Sequence, residues 1–104
     1  MNKQNILIAE DDADIRGLLK LYLESEGFAV TCADNGPDAL KLAETTSPQL
    51  AILDIMMPGL NGLELTQKLR ERTAMPIMIL SARDRDQDKI LGLNIGADDY
   101  MTKP

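Results

Sequence analysis

The chain has no histidine. Imidazole acid–base catalysis and His-ligated zinc are therefore excluded. Cys32 is the single cysteine, so no intramolecular disulfide can form. It sits in the apolar run Phe28-Ala29-Val30-Thr31-Cys32-Ala33 and reads as a buried structural thiol. Basic residues are in the minority, 11 against 17 acids, for a net charge of −6. Direct binding of nucleic acid needs a basic face and is not expected of this chain. No apolar run approaches the length that spans a bilayer, and Met1-Asn2-Lys3-Gln4-Asn5 has no signal-peptide pattern. A cytoplasmic protein without a membrane partner is expected. Repeats, low-complexity segments and linkers are also missing, so the 104 residues read as one domain, 1–104.

What is present centres on Leu50-Ala51-Ile52-Leu53-Asp54-Ile55-Met56-Met57-Pro58-Gly59. The apolar part reads as a buried strand. It ends in a carboxylate, with a turn-forming Pro-Gly shortly after. The same grammar recurs along the chain. Asn5–Ala9 is a short apolar strand followed at once by Glu10-Asp11-Asp12. A helix is expected from about Asp12 to Glu26, with Ile15, Leu18, Leu19, Tyr22 and Leu23 at helical spacing and Gly27 at its C′ position.

Phe28–Ala33 is the second strand, by its β-branched and aromatic content. Asn35-Gly36-Pro37 opens a second helix that Thr45-Thr46-Ser47-Pro48 ends. A third helix is expected over about 63–72 and a fourth strand over Ile77–Leu80, with Ser81 immediately after. A weaker, more polar helix over about 86–95, a short strand at Tyr100-Met101 and Thr102-Lys103-Pro104 complete the chain.

Strands alternating with helices imply a parallel sheet with right-handed crossovers. In such a sheet all strand C-termini lie on one edge. Glu10-Asp11-Asp12, Asp54, Ser81 and Lys103 each follow a strand end directly or within two residues, so the topology gathers them where open α/β sheets bind ligands. Clustered carboxylates repel, and with no histidine at hand the natural counter-charge is a hard cation, Mg²⁺ or Mn²⁺. Asp54 could then act as a nucleophile toward phosphorus, with Lys103 and the Ser81 hydroxyl on the phosphoryl oxygens. Taken singly, each residue has a plainer reading: a turn or cap aspartate, a dipole-complementing acidic triplet, a solvated lysine, a capping serine. Together, at successive strand ends, they make one constellation.

Those residues, with Met57-Pro58-Gly59, Gly62, Ser81-Ala82 and Gly96-Ala97-Asp98-Asp99-Tyr100, resemble the receiver domain of two-component response regulators over essentially the whole chain. The wording of residues 96–104 resembles the OmpR/PhoB-type subfamily, whose receivers precede a winged-helix DNA-binding domain. The resemblance implies an α/β, flavodoxin-like (CheY-like) doubly wound sheet of five parallel strands in the order 2-1-3-4-5. Asp54 would be the phosphoacceptor. Mg²⁺ or Mn²⁺ would be held by Asp11, Asp54 and the backbone carbonyl of Met56, with Glu10 reaching it through water. Asp12, one place beyond the acidic pair, is not assigned to the metal.

Ser81 would be the switch hydroxyl, Tyr100 the switch aromatic and Lys103 the phosphate-contacting lysine. The Lys103-Pro104 bond would be cis. The donor would be a phosphohistidine on a sensor histidine kinase. The full-length regulator would form a homodimer on activation, with Lys89, Asp98 and Asp99 on the dimer face. It would meet promoter DNA only through its effector domain.

The same comparison implies a fifth helix and an effector domain beyond Pro104. The chain is accordingly expected to be a truncated piece of a longer regulator. An uncovered sheet face is expected to destabilise it or to be shielded by self-association or element swapping. Other readings are weaker. An aspartyl phosphohydrolase ordinarily carries a second aspartate two residues after the first, where this chain has Met56. A nucleotide or flavin binder needs a Gly- or Ser/Thr-rich loop after the first strand, and Glu10-Asp11-Asp12 is its electrostatic opposite. A pseudo-receiver that only docks partners would not need the full set of acid, acceptor, hydroxyl and lysine.

Overall fold

The structure, a computed structural model, describes residues 3–81 and 99–102. Its elements are β1 (Asn5–Ala9), α1 (Ala13–Ser25), β2 (Ala29–Ala33), α2 (Gly36–Thr46), β3 (Leu50–Asp54), α3 (Gly62–Arg70), β4 (Ile77–Ser81) and β5 (Asp99–Thr102). The expected order β2-β1-β3-β4 is present, every pairing is parallel, and the backbone of β5 lies along β4 with Tyr100 opposite Ile79. The expected helix over 86–95 lies outside the described residues, as does the Lys103-Pro104 bond.

Strand residues alternate between two faces, and each face has its own core. Leu7, Ala9, Leu53, Ile77 and Ile79 join Ala39 of α2 and Leu65 and Leu69 of α3 in one buried cluster. Ile6, Ile8, Ile52 and Leu80 form the other, against Ile15, Leu19 and Leu23 of α1. Among the described residues, α1 packs on one face and α2 and α3 on the other, so strand residues of both faces are buried. That is why β1, β3 and β4 are continuous apolar runs.

Caps set the helix boundaries. The Asp12 side chain accepts from the amides of Asp14 and Ile15, Asn35 caps α2 at the Asp38 amide, and Asn61 and Glu64 form a reciprocal capping box on α3. Gly27, at φ +95°, supplies the left-handed turn after α1. The third helix is shorter than expected. It ends at Arg70, and beyond it the Arg72 amide makes a tighter i→i−3 bond to the Leu69 carbonyl at 3.0 Å.

Candidate functional site

β1 and β3 are neighbours at the centre of the sheet, with Ala9 opposite Leu53. The next residue on each chain is therefore level with the other, and those residues are Glu10 and Asp54. Both backbones stay in ladder hydrogen bonding past their strands. The Glu10 amide donates to the Ala33 carbonyl at 3.0 Å, and the Ile55 amide to that of Leu80 at 3.1 Å. Glu10 and Asp54 are buried, at 0% and 1% exposure, whereas Asp11 is exposed. One carboxylate oxygen from each of Glu10, Asp11 and Asp54 lies within 4.8 Å of the others.

Two carboxylates inside a protein and a third at the mouth are costly to keep charged together. Their chemistry suits a hard divalent cation, which takes oxygen ligands; oxygens facing each other across Mg²⁺ stand ~4.2 Å apart at its preferred bond length of about 2.1 Å. The trio's oxygens, within 4.8 Å of one another, are close enough for small side-chain adjustments to bring them onto such an ion. The cluster is consistent with the metal site of a receiver domain.

The loop after β3 is tightly built. Asp54 Oδ1 accepts from the Met56 amide at 3.4 Å, and the Gly62 amide donates to the Ile55 carbonyl at 2.9 Å, closing the loop at the base of α3. Glycine is required at both ends of this contact region. A Cβ on Gly62 would stand 2.1 Å from the Asp54 carbonyl oxygen, and one on Gly36 would stand 2.0 Å from that of Leu60. Gly36 also donates its amide to the Pro58 carbonyl at 3.3 Å, which seats the start of α2 on the same loop.

The loop after β1 is equally constrained. Glu10 Oε1 accepts from the Asp12 amide at 3.1 Å. Arg16, on the first turn of α1, donates from Nη1 to the carbonyl oxygen of Glu10 at 2.8 Å and, at the longer distance of 3.5 Å, to that of Asp11. Arg16 was not among the residues the sequence singled out. Its signal there is a cation in the first turn of a helix, the end where the helix dipole disfavours it.

The residues expected at the site divide into three groups. Glu10, Asp11 and Asp54 come together, with Met56 beside them. Asp12 does not join them, because its carboxylate is committed to capping α1. Ser81 ends β4 one residue past Leu80, the partner of Asp54, while Asp99 and Tyr100 lie on β5 opposite Met78 and Ile79. Lys89, Asp98 and Lys103 lie outside the described residues.

Cys32, expected to be buried, is only partly so. It faces a cavity of about 470 Å³ that Arg16, Asp34, Asp38 and Lys41 also line. Burial pushes its thiol above the ordinary range, against the opposing pull of Lys20 and Arg16. No helix among the described residues is long and apolar enough to cross a membrane.

Similarity to known proteins converges on this geometry. Residues 6–104 match the family described as the response regulator receiver domain. The alkaline phosphatase synthesis transcriptional regulatory protein PhoP of Bacillus subtilis is 50% identical over 105 aligned positions, covering 100% of this chain and 43% of that protein. The chain thus spans less than half the length of this curated relative.

Among solved structures, the receiver domain of the Francisella response regulator 1452 superposes with a TM-score of 0.93 at 40% identity, covering 98% of this chain and 85% of that one. The BeF3-activated N-terminal receiver domain of Klebsiella pneumoniae RstA gives 0.93 at 34% identity, covering 97% and 88%. With the acids at the receiver's own strand ends and the match running from β1 to Pro104, the chain belongs to the response regulator receiver domain family.

Proposed function

We propose that the chain is a phosphorylation-dependent signalling switch in which Asp54 accepts a phosphoryl group from the phosphohistidine of a sensor histidine kinase. The observation that carries this reading is the convergence of Glu10, Asp11 and Asp54 within 4.8 Å at the centre of the sheet edge. A receiver of this kind is a phosphoacceptor and signalling module, not an enzyme acting on an outside substrate.

In the transfer, a carboxylate oxygen of Asp54 attacks phosphorus. The P–N bond to the donor imidazole breaks and an acyl phosphate forms on Asp54. The ladder bond of the next residue, from the Ile55 amide to the Leu80 carbonyl, and the Met56 amide on Oδ1 hold the Asp54 carboxylate in place at the sheet edge. Asp11, Asp54 and the Met56 carbonyl would hold Mg²⁺ or Mn²⁺, with Glu10 reaching it through water. The ion, when bound, neutralises charge on the phosphoryl oxygens. Lys103 and Ser81 would take two of those oxygens.

A phosphoryl group adds roughly two negative charges and three acceptor oxygens. Ser81 would move toward it, and Tyr100 would turn into the space left, repacking the face around β5. In the longer regulator that face would form a homodimer using Lys89, Asp98 and Asp99. The output would be a winged-helix DNA-binding domain, as the transcriptional role in the name of the Bacillus subtilis relative suggests.

The test is intact mass after incubation with Mg²⁺ and acetyl phosphate. A gain of one phosphoryl group is expected, abolished by Asp54→Asn and by a chelator. A folded chain that gains no mass under these conditions overturns the reading.

A further inference from the structure

We propose that Arg16 is a positioning residue for the acidic pocket: by tying down the backbone carbonyls of Glu10 and Asp11, it presets those two carboxylates for a divalent cation. The inference rests on the metal-assisted phosphoacceptor reading above.

Three residues, Glu10, Asp11 and Asp12, join β1 to α1, and hydrogen bonds hold nearly every peptide group among them. The Glu10 amide is on Ala33, the Asp12 amide on Glu10 Oε1, and the Asp12 carbonyl accepts the Arg16 amide at 2.9 Å. The remaining carbonyls, of Glu10 and Asp11, are the two that Arg16 Nη1 reaches at 2.8 and 3.5 Å. Asp11 follows directly on the carbonyl held at 2.8 Å, so its backbone is anchored through the Glu10–Asp11 peptide. Its side chain is exposed, so packing does not hold its carboxylate, and the backbone must.

Arg16 occupies a position that local rules disfavour. A cation in the first turn opposes the helix dipole. Asp34 and Asp38 line the same cavity as Arg16, yet its guanidinium bonds to neutral carbonyls of the loop after β1. A residue placed against its local preference is one whose tertiary contacts decide its identity.

The charge of Arg16 gives the test a sign. A bare positive charge near the pocket repels a divalent cation, so its removal should tighten metal binding. Loss of a positioning contact should weaken it. Calorimetric titration of Mg²⁺ into wild type and Arg16→Met, which keeps the aliphatic stem, separates the two. The expected result is a Kd about tenfold higher, at the low end for outer contacts of a metal site. Arg16→Lys, which replaces the planar guanidinium with a single compact ammonium, should fall between. Thermal melts without Mg²⁺ check that each variant is folded, and Arg16→Gln carries the same expectation should Arg16→Met not fold.

An unchanged or lower Kd in folded Arg16→Met overturns this inference alone, because wild-type binding would still stand. Wild type that takes up no Mg²⁺ overturns the phosphoacceptor reading and this inference together.

Discussion

Gly62 and Asp54 are in backbone contact: a Cβ on Gly62 would stand 2.1 Å from the Asp54 carbonyl oxygen and 3.0 Å from the Ile55 Cα. Neither neighbour can swing away, because both are main-chain atoms within the ladder that fixes Asp54. Gly62→Ala must push the start of α3 off the end of β3. It should destabilise the chain by about 1–3 kcal/mol and lower the rate of phosphoryl uptake by Asp54. Urea denaturation reads the first effect, and intact mass against time with acetyl phosphate reads the second. Wild-type values for both would show that the loop yields more readily than its hydrogen bonds imply.

Asp11 lets metal binding be separated from folding. Its side chain is exposed while its carboxylate belongs to the trio, so Asp11→Asn, which removes one of three mutually repelling charges, should leave the metal-free melting temperature at or above that of wild type. In wild type, Mg²⁺ at 100 times its Kd should add about 2.7 kcal/mol of stability. In Asp11→Asn at the same concentration that gain should largely vanish. Paired thermal melts with and without Mg²⁺ measure it.

Leu65 is fully buried on α3, in the cluster beneath β3 and β4. Leu65→Ala should cost about 2–5 kcal/mol, the range for a large-to-small change in a core that relaxes only partly. Chemical denaturation checks this. A cost below 1 kcal/mol would mean that the layer under the phosphoacceptor strand closes the cavity.

Cys32 gives a pH dependence of known sign. Its thiol is held above the ordinary value because burial disfavours the thiolate. A group whose folded pKa is raised contributes stability that is fully present below its unfolded value and is lost as pH rises through the folded one. Wild type should therefore lose stability at alkaline pH relative to Cys32→Ala. At neutral pH Cys32 should react with iodoacetamide more slowly than a free thiol does. Stability curves of the two proteins on raising the pH, with alkylation followed by mass, test both statements. Fast alkylation at neutral pH would contradict the burial effect.

Much of the fold is legible in local pattern. Apolar runs of four residues, closed by Glu10, Asp54 and Ser81, mark β1, β3 and β4, and Asn35-Gly36-Pro37 marks the start of α2 within a residue. Glu10, Asp11 and Asp54 are legible as a site because strand ends in a parallel sheet share an edge. The triplet Glu10-Asp11-Asp12 is where one-dimensional reading stops short. Three adjacent acids look alike in sequence, and only the course of the chain gives the first two to the pocket and the third to the α1 cap.

Local pattern and topology already specify which of the described elements form, in what order, and that carboxylates meet at one end of the sheet. These follow from periodicity, turn chemistry and the geometry of parallel strands, all local or topological. The tertiary structure alone decided that Glu10 stands level with Asp54, that Arg16 reaches back to the Glu10 and Asp11 carbonyls, and that Gly36 and Gly62 must lack side chains. Those facts depend on strand register and on backbone approaches between segments distant in the chain. Their energies come from contacts that exist only once the sheet has closed.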